Sequence, residues 1–161
     1  MERRLRLPTL ASFDSYLGNR FMRLQNAKIE ISPAPDGGGS RAKIGLRKNA
    51  WPGVEFHDIW PDWSSYTTLV VELEAIGAEP LQLNIRAHDR HHRTGDQPYS
   101  DRFNRRLTLL PVPQVVRIQL ADIASAPKGR RMNLTQMQSV MIFGSKEAQG
   151  RQFWLSEIRL E

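Results

Sequence analysis

A chain of 161 residues, 40% hydrophobic and 25% charged, is long enough for one domain with a buried core and has the balance of an ordinary folded protein. It contains no cysteine, which excludes disulfides, thiolate catalysis and cysteine-based zinc sites. The net charge of +6 is spread along the chain, with small knots at Arg3-Arg4, Arg105-Arg106 and Lys128-Gly129-Arg130-Arg131. No nucleic-acid reading element accompanies it, so no nucleic-acid partner is expected.

The opening run Met1-Glu2-Arg3-Arg4-Leu5-Arg6-Leu7-Pro8 is basic but has no apolar stretch of the signal-peptide kind. Residues 1–12 read as a flexible lead-in, or a linker from a longer parent, within a single domain over 1–161. Nowhere does an apolar run approach the roughly 20 residues of a membrane helix, so no membrane insertion by this chain is expected.

Period-two alternation then dominates. Ile29 and Ile31 alternate with Lys28 and Glu30; after the turn Pro33-Ala34-Pro35-Asp36-Gly37-Gly38-Gly39, Ile44 and Leu46 alternate with Lys43 and Gly45. Over Tyr66 to Glu74, Leu69, Val71 and Leu73 share one face. Beyond Gly77-Ala78-Glu79-Pro80, the residues Leu81, Leu83, Ile85 and Ala87 alternate with Gln82, Asn84, Arg86 and His88. A polar connection from Asp89 to Asp101 follows, longer than a hairpin loop needs and so a binding loop or an insertion.

Arg102 to Leu110 reads as the next strand. Its alternation turns Arg105 inward, which predicts a bulge or an edge position. Pro111-Val112-Pro113 ends it; Val116, Ile118 and Leu120 mark another strand, and Ser139 to Phe143 and Gln152 to Leu160 two more. Only Ala121–Ala124 and Asn133–Met137 read as short helical turns. About nine strands with one or two helical turns predict an all-β fold, an antiparallel sandwich.

Several segments in order resemble carbohydrate-binding modules of the galactose-binding jelly-roll type. They are Trp51-Pro52-Gly53-Val54-Glu55-Phe56, Asp62-Trp63-Ser64-Ser65-Tyr66-Thr67-Thr68-Leu69, Arg86-Ala87-His88-Asp89 and Tyr99-Ser100-Asp101-Arg102-Phe103-Asn104. Ile118-Gln119-Leu120-Ala121-Asp122-Ile123, Ala126 to Leu134 and Phe153 to Leu160 continue the series. Modules attached to agarase-like glycoside hydrolases and to the C-terminal region of VanZ-like membrane proteins share this pattern. The resemblance implies a jelly roll that binds a polysaccharide or oligosaccharide without cleaving it. It also implies a cell-envelope or extracellular location if the chain belongs to an exported or membrane-anchored parent. The related complex I intermediate-associated proteins use a similar sandwich for assembly, so a protein partner is the alternative.

Some such domains hold a structural calcium near the chain ends, for which Asp14 and Glu157 are the ligands available here. Ser156 stands where an acidic residue is usual, leaving the set one ligand short. No other cofactor is implied.

The site expected from the residues is the outward patch Arg86, His88, Asp89, Asp101, Arg102 and Asn104, with Trp51 and Trp60 as loop aromatics on which sugar rings stack. A structural salt-bridge network is the competing account of that patch. Asp89 and Asp101 sit beside Arg90 and Arg102, which favours ion pairs over the raised pKa of a glycosidase acid, so no catalytic residues are expected. His88, His91 and His92 offer no convergent fourth metal ligand, and Trp63 is expected in the core.

Overall fold

Residues 8–14 and 21–161 are described by the computed structural model. The strands are β1 (Thr9–Ser12), β2 (Met22–Gln25), β3 (Ala27–Pro33), β4 (Ser40–Leu46), β5 (Gly53–His57), β6 (Thr68–Ile76), β7 (Leu81–Asp89), β8 (Phe103–Leu109), β9 (Gln114–Gln119), β10 (Met137–Phe143) and β11 (Gln152–Leu160). Two short helices, α1 (Arg90–Thr94) and α2 (Leu120–Ala124), interrupt them.

The strands form two antiparallel sheets. One runs β3-β4-β11-β6-β9, with β1 paired to the second half of β11; the other runs β2-β5-β10-β7-β8. Leu69, Val71 and Leu73 of β6 and Leu81, Leu83 and Ile85 of β7 point between the sheets, buried as their alternation requires. Phe153, Leu155, Ile158 and Leu160 of β11 complete the same core. Trp63 is wholly buried, and its indole N–H is satisfied by the Trp60 carbonyl at 2.7 Å.

Several expectations are corrected. Residues 9–12 are strand β1 rather than lead-in, while residues 1–7 lie outside the described residues. Asn133–Met137 is not a helical turn: Gln136 N–H closes a turn on the Asn133 carbonyl and β10 begins at Met137. Ile31, on edge strand β3, is exposed rather than packed. The stretch from Asp89 to Asp101 is no open loop, because β7 runs through Asp89 and leads directly into α1 and then a 3-10 turn at Tyr99–Asp101.

Arg105 does turn inward, at an edge: β8 borders its sheet, and the side chain reaches out over Phe103 to Asp122 of α2 at 3.5 Å. Among the described residues no helix is long and apolar enough to cross a membrane.

Candidate functional site

The outer face of the five-stranded sheet is polar in a way the inner face is not. The register puts Gln25 beside Gly53, Gly53 beside Phe143, Phe143 beside Asn84, and Asn84 beside Arg106. One row along, Arg23, Glu55, Met141, Arg86 and Asn104 follow one another across the same five strands. A third row brings His57, Ser139 and His88 together.

Helix α1 folds back over that third row. Its His92 ring lies 4.8 Å from the His88 ring, and Arg93 comes within 3.8 Å of Glu55. His88 and Ser139 are thereby buried, with neither ring nitrogen of His88 nor the Ser139 hydroxyl finding a hydrogen-bond partner among the described residues. Burial first, and then the neighbouring His92 and Arg86, hold the His88 imidazole down at about 4.

The first row, with Met141, Arg86 and Asn104 of the second, forms a groove of about 450 Å³. Gln25, Trp51, Asn84, Arg86, Tyr99, Arg102, Asn104, Arg106, Met141, Phe143 and Ser145 line it. Trp51 hangs over the β5 side, 58% exposed, its ring edge-on to Phe143 at 6.1 Å. Its backbone has φ 52°, a strained conformation for a tryptophan, and its carbonyl is held by the Gln25 amide at 2.8 Å. Gly53 allows this packing, since a Cβ there would sit 2.6 Å from that of Phe143.

On the β8 side Tyr99 is 69% exposed. The Arg102 guanidinium lies 5.0 Å from its ring centre, and the Asn104 amide donates to its carbonyl at 3.3 Å. Arg102 also donates to Asn104 Oδ1 at 2.9 Å. Arg86 is anchored on Glu55 at 2.9 Å. Burial opposes ionisation of Glu55, but Arg23 and Arg86 override it and keep the carboxyl below its ordinary range.

Of the residues expected at a site, Arg86, Arg102, Asn104 and Trp51 meet in this groove. His88 lies under α1. Trp60 is exposed but stands off the groove, in the connection whose Pro61 carbonyl takes the N–H of Met137 at the far end of β10.

Asp89 and Asp101 belong to a clamp closed by Arg130. Its guanidinium donates to both oxygens of each, at 2.7 and 2.9 Å to Asp89 and at 2.6 and 2.9 Å to Asp101. Asp89 also caps α1 through the N–H of His92 and accepts from the N–H of Asn133. Burial alone would raise its pKa, but these donors overcome that and bring it down to about 2. The arginine that pairs with both aspartates is therefore Arg130, not the adjacent Arg90 or Arg102. A carboxyl pair locked on one guanidinium cannot serve as a proton donor and base.

Gln25, Asn84, Tyr99, Arg106, Met141, Phe143 and Ser145 were not among the expected site residues. Asn84 and Arg106 carried a usable signal: they are the next outward-facing pair, two cross-strand positions along from Arg86 and Asn104.

The calcium expectation does not fit. Asp14 and Glu157 line one hollow on the six-stranded sheet, but Asp14 accepts the Ser40 N–H at 2.6 Å and Glu157 faces Arg159 at 3.3 Å. Burial, only partly offset by Arg159, raises the Glu157 pKa and so favours its protonated form. Among the described residues no three His, Cys, Asp or Glu side chains converge as ligands.

No family model matches the chain, and no curated protein matches it. Solved structures do. An exo-β-agarase superposes with a TM-score of 0.73 at 14% identity, over 96% of this chain and 24% of its own length. The family 11 carbohydrate-binding module from Clostridium thermocellum, in complex with a β-1,3-1,4-mixed-linked tetrasaccharide, superposes with a TM-score of 0.68 at 12% identity, covering 95% of this chain and 94% of that one. The chain thus spans about a quarter of the agarase and nearly all of the module. These likenesses establish the fold, the antiparallel two-sheet jelly roll that such modules share.

Proposed function

We propose that the chain binds a polysaccharide or oligosaccharide in the groove on the five-stranded sheet, without cleaving it. The observation that carries this reading is the pairing of two exposed aromatic walls, Trp51 and Tyr99, with a floor of amide and guanidinium donors. Sugar rings present apolar C–H faces that suit an aromatic wall and hydroxyls that suit the amides, and a shallow open groove admits a chain. The likeness to a module with a bound tetrasaccharide supports the reading. So does the locking of Asp89 and Asp101, which removes the nearest carboxyl pair from hydrolytic work.

Affinity electrophoresis through gels containing a panel of polysaccharides tests it. The protein should be retarded by at least one, and Trp51→Ala or Tyr99→Ala should weaken binding about tenfold, the equivalent of losing roughly 1.4 kcal/mol of ring contact. Retention by no glycan, with a co-purifying protein held on the same face, would overturn it in favour of an assembly module.

A further inference from the structure

The groove's charge is lopsided. Arg86, Arg102 and Arg106 line it and no carboxylate does. Behind the floor lies Glu55, and Arg23, Arg86 and Arg93 all turn toward it. Elsewhere the arginines Arg41, Arg117, Arg130 and Arg159 are each matched with an acid. Arg102 and Arg106 make no ion pair among the described residues. Arg102 is half-buried beside Arg86, and burial first, then repulsion from Arg86, lowers its pKa. Arg47, Arg90, Arg131 and Arg151 also lack an acid partner among the described residues, but they lie outside the groove; Arg102 and Arg106 are the pair left uncompensated between its aromatic walls.

Resting on the carbohydrate reading above, we infer that the groove selects an anionic glycan, whose carboxylate or sulfate groups meet Arg102 and Arg106. Guanidinium groups offer paired N–H donors to planar or tetrahedral oxyanions. Asn84, Asn104 and Gln25, which donate and accept, serve the hydroxyls between them. Arg102 and Arg106 project from the same face of one extended segment, four residues or about 13 Å apart, a span that suits repeated charges on a polymer better than one small anion. An incoming anion would pair both guanidiniums, offsetting the partial burial of Arg102 and its repulsion from Arg86.

The test is titration calorimetry of the whole chain with four polymers: a polyuronate, a sulfated galactan, a neutral mixed-linkage β-glucan and neutral agarose. At least one anionic polymer should bind about tenfold or more tightly than either neutral one, and its affinity should fall as salt rises. Which of the two anionic polymers binds separates carboxylate from sulfate. Arg102→Gln and Arg106→Gln should each weaken that binding about tenfold with little change in melting temperature, because neither arginine makes an ion pair among the described residues and the contacts of Arg102, to Asn104 and Tyr99, lie at the groove surface. Lys28→Gln, an equal change of charge on the other sheet, should have no effect.

Equal or tighter binding of a neutral polymer, indifferent to both arginine variants, would overturn this inference and leave the carbohydrate reading standing. Binding of none of the four, with tight arginine-dependent binding of a single-stranded oligonucleotide, would overturn both.

Discussion

Arg130 shows how far a residue's role can lie from its sequence neighbourhood. It belongs to a basic knot in a connection, yet its side chain closes on Asp89, 41 residues away, and Asp101, 29 residues away. The sequence marked both aspartates as ends of a special segment, and adjacency suggested their partners, but only folding brings the true partner in. Removing Arg130 leaves Asp89, which is completely buried, without its counter-ion. Arg130→Ala should therefore cost about 3–5 kcal/mol in urea denaturation, against nearly nothing for exposed Arg131→Ala. Equal midpoints for the two variants would show that the clamp contributes no stability. The groove residues were legible to different degrees for the same reason. Arg86 and Asn104 could be found from alternation on adjacent strands, whereas Gln25 and Phe143 meet across 118 residues of chain.

Among the elements, those with long alternating runs were readable and those without were not. β6, β7 and β11 have nine residues each and bury every second side chain over most of their length. β1 and β2 have four residues, too few to show a period. β5 hides its period by burying four consecutive residues, because Glu55 on its outer face is covered by arginines and α1. Helix α1 was invisible for a related reason: a five-residue helix is held by its cap and by packing, not by propensity.

The packing of α1 has a measurable consequence. Folding weakens the hold of His88 on its proton, from an ordinary 6.5 to about 4, so across that range the unfolded chain binds more protons than the folded one. Stability should be full above pH 6.5, fall as the pH drops toward 4 by about 3 kcal/mol, and then lose the further contribution of Asp89 in stronger acid. His92, whose pKa is also lowered, acts in the same direction. Denaturation midpoints of the parent and of His88→Leu across pH 7 to 4 check this; a parent curve as flat as the variant's would refute it.

For the molecule as a whole, the two sheets divide the labour. The six-stranded sheet balances surface charges in networks such as Arg159 with Glu72, Glu157 and Glu161, while the five-stranded sheet pairs Arg23, Arg86 and Arg93 with Glu55 and presents Arg102 and Arg106 to the groove without an acid partner among the described residues. The sandwich was readable because both sheets obey one rule of alternation. The groove was only partly so, because it is assembled from strands and connections far apart in the chain.

The position of β11 governs when the molecule can exist. This strand sits inside the six-stranded sheet, bonded to β4, β6 and β1, and it fills the core with Phe153, Leu155, Ile158 and Leu160. On the ribosome, then, everything up to Gly150 emerges with the edges of β4 and β6 unpaired and the core uncovered, an interval of exposure to aggregation and chaperones. A chain stopped at Gly150 should be degraded within minutes by a protease dose that leaves the full chain intact. A resistant fragment of that length would show that the other strands can close without it.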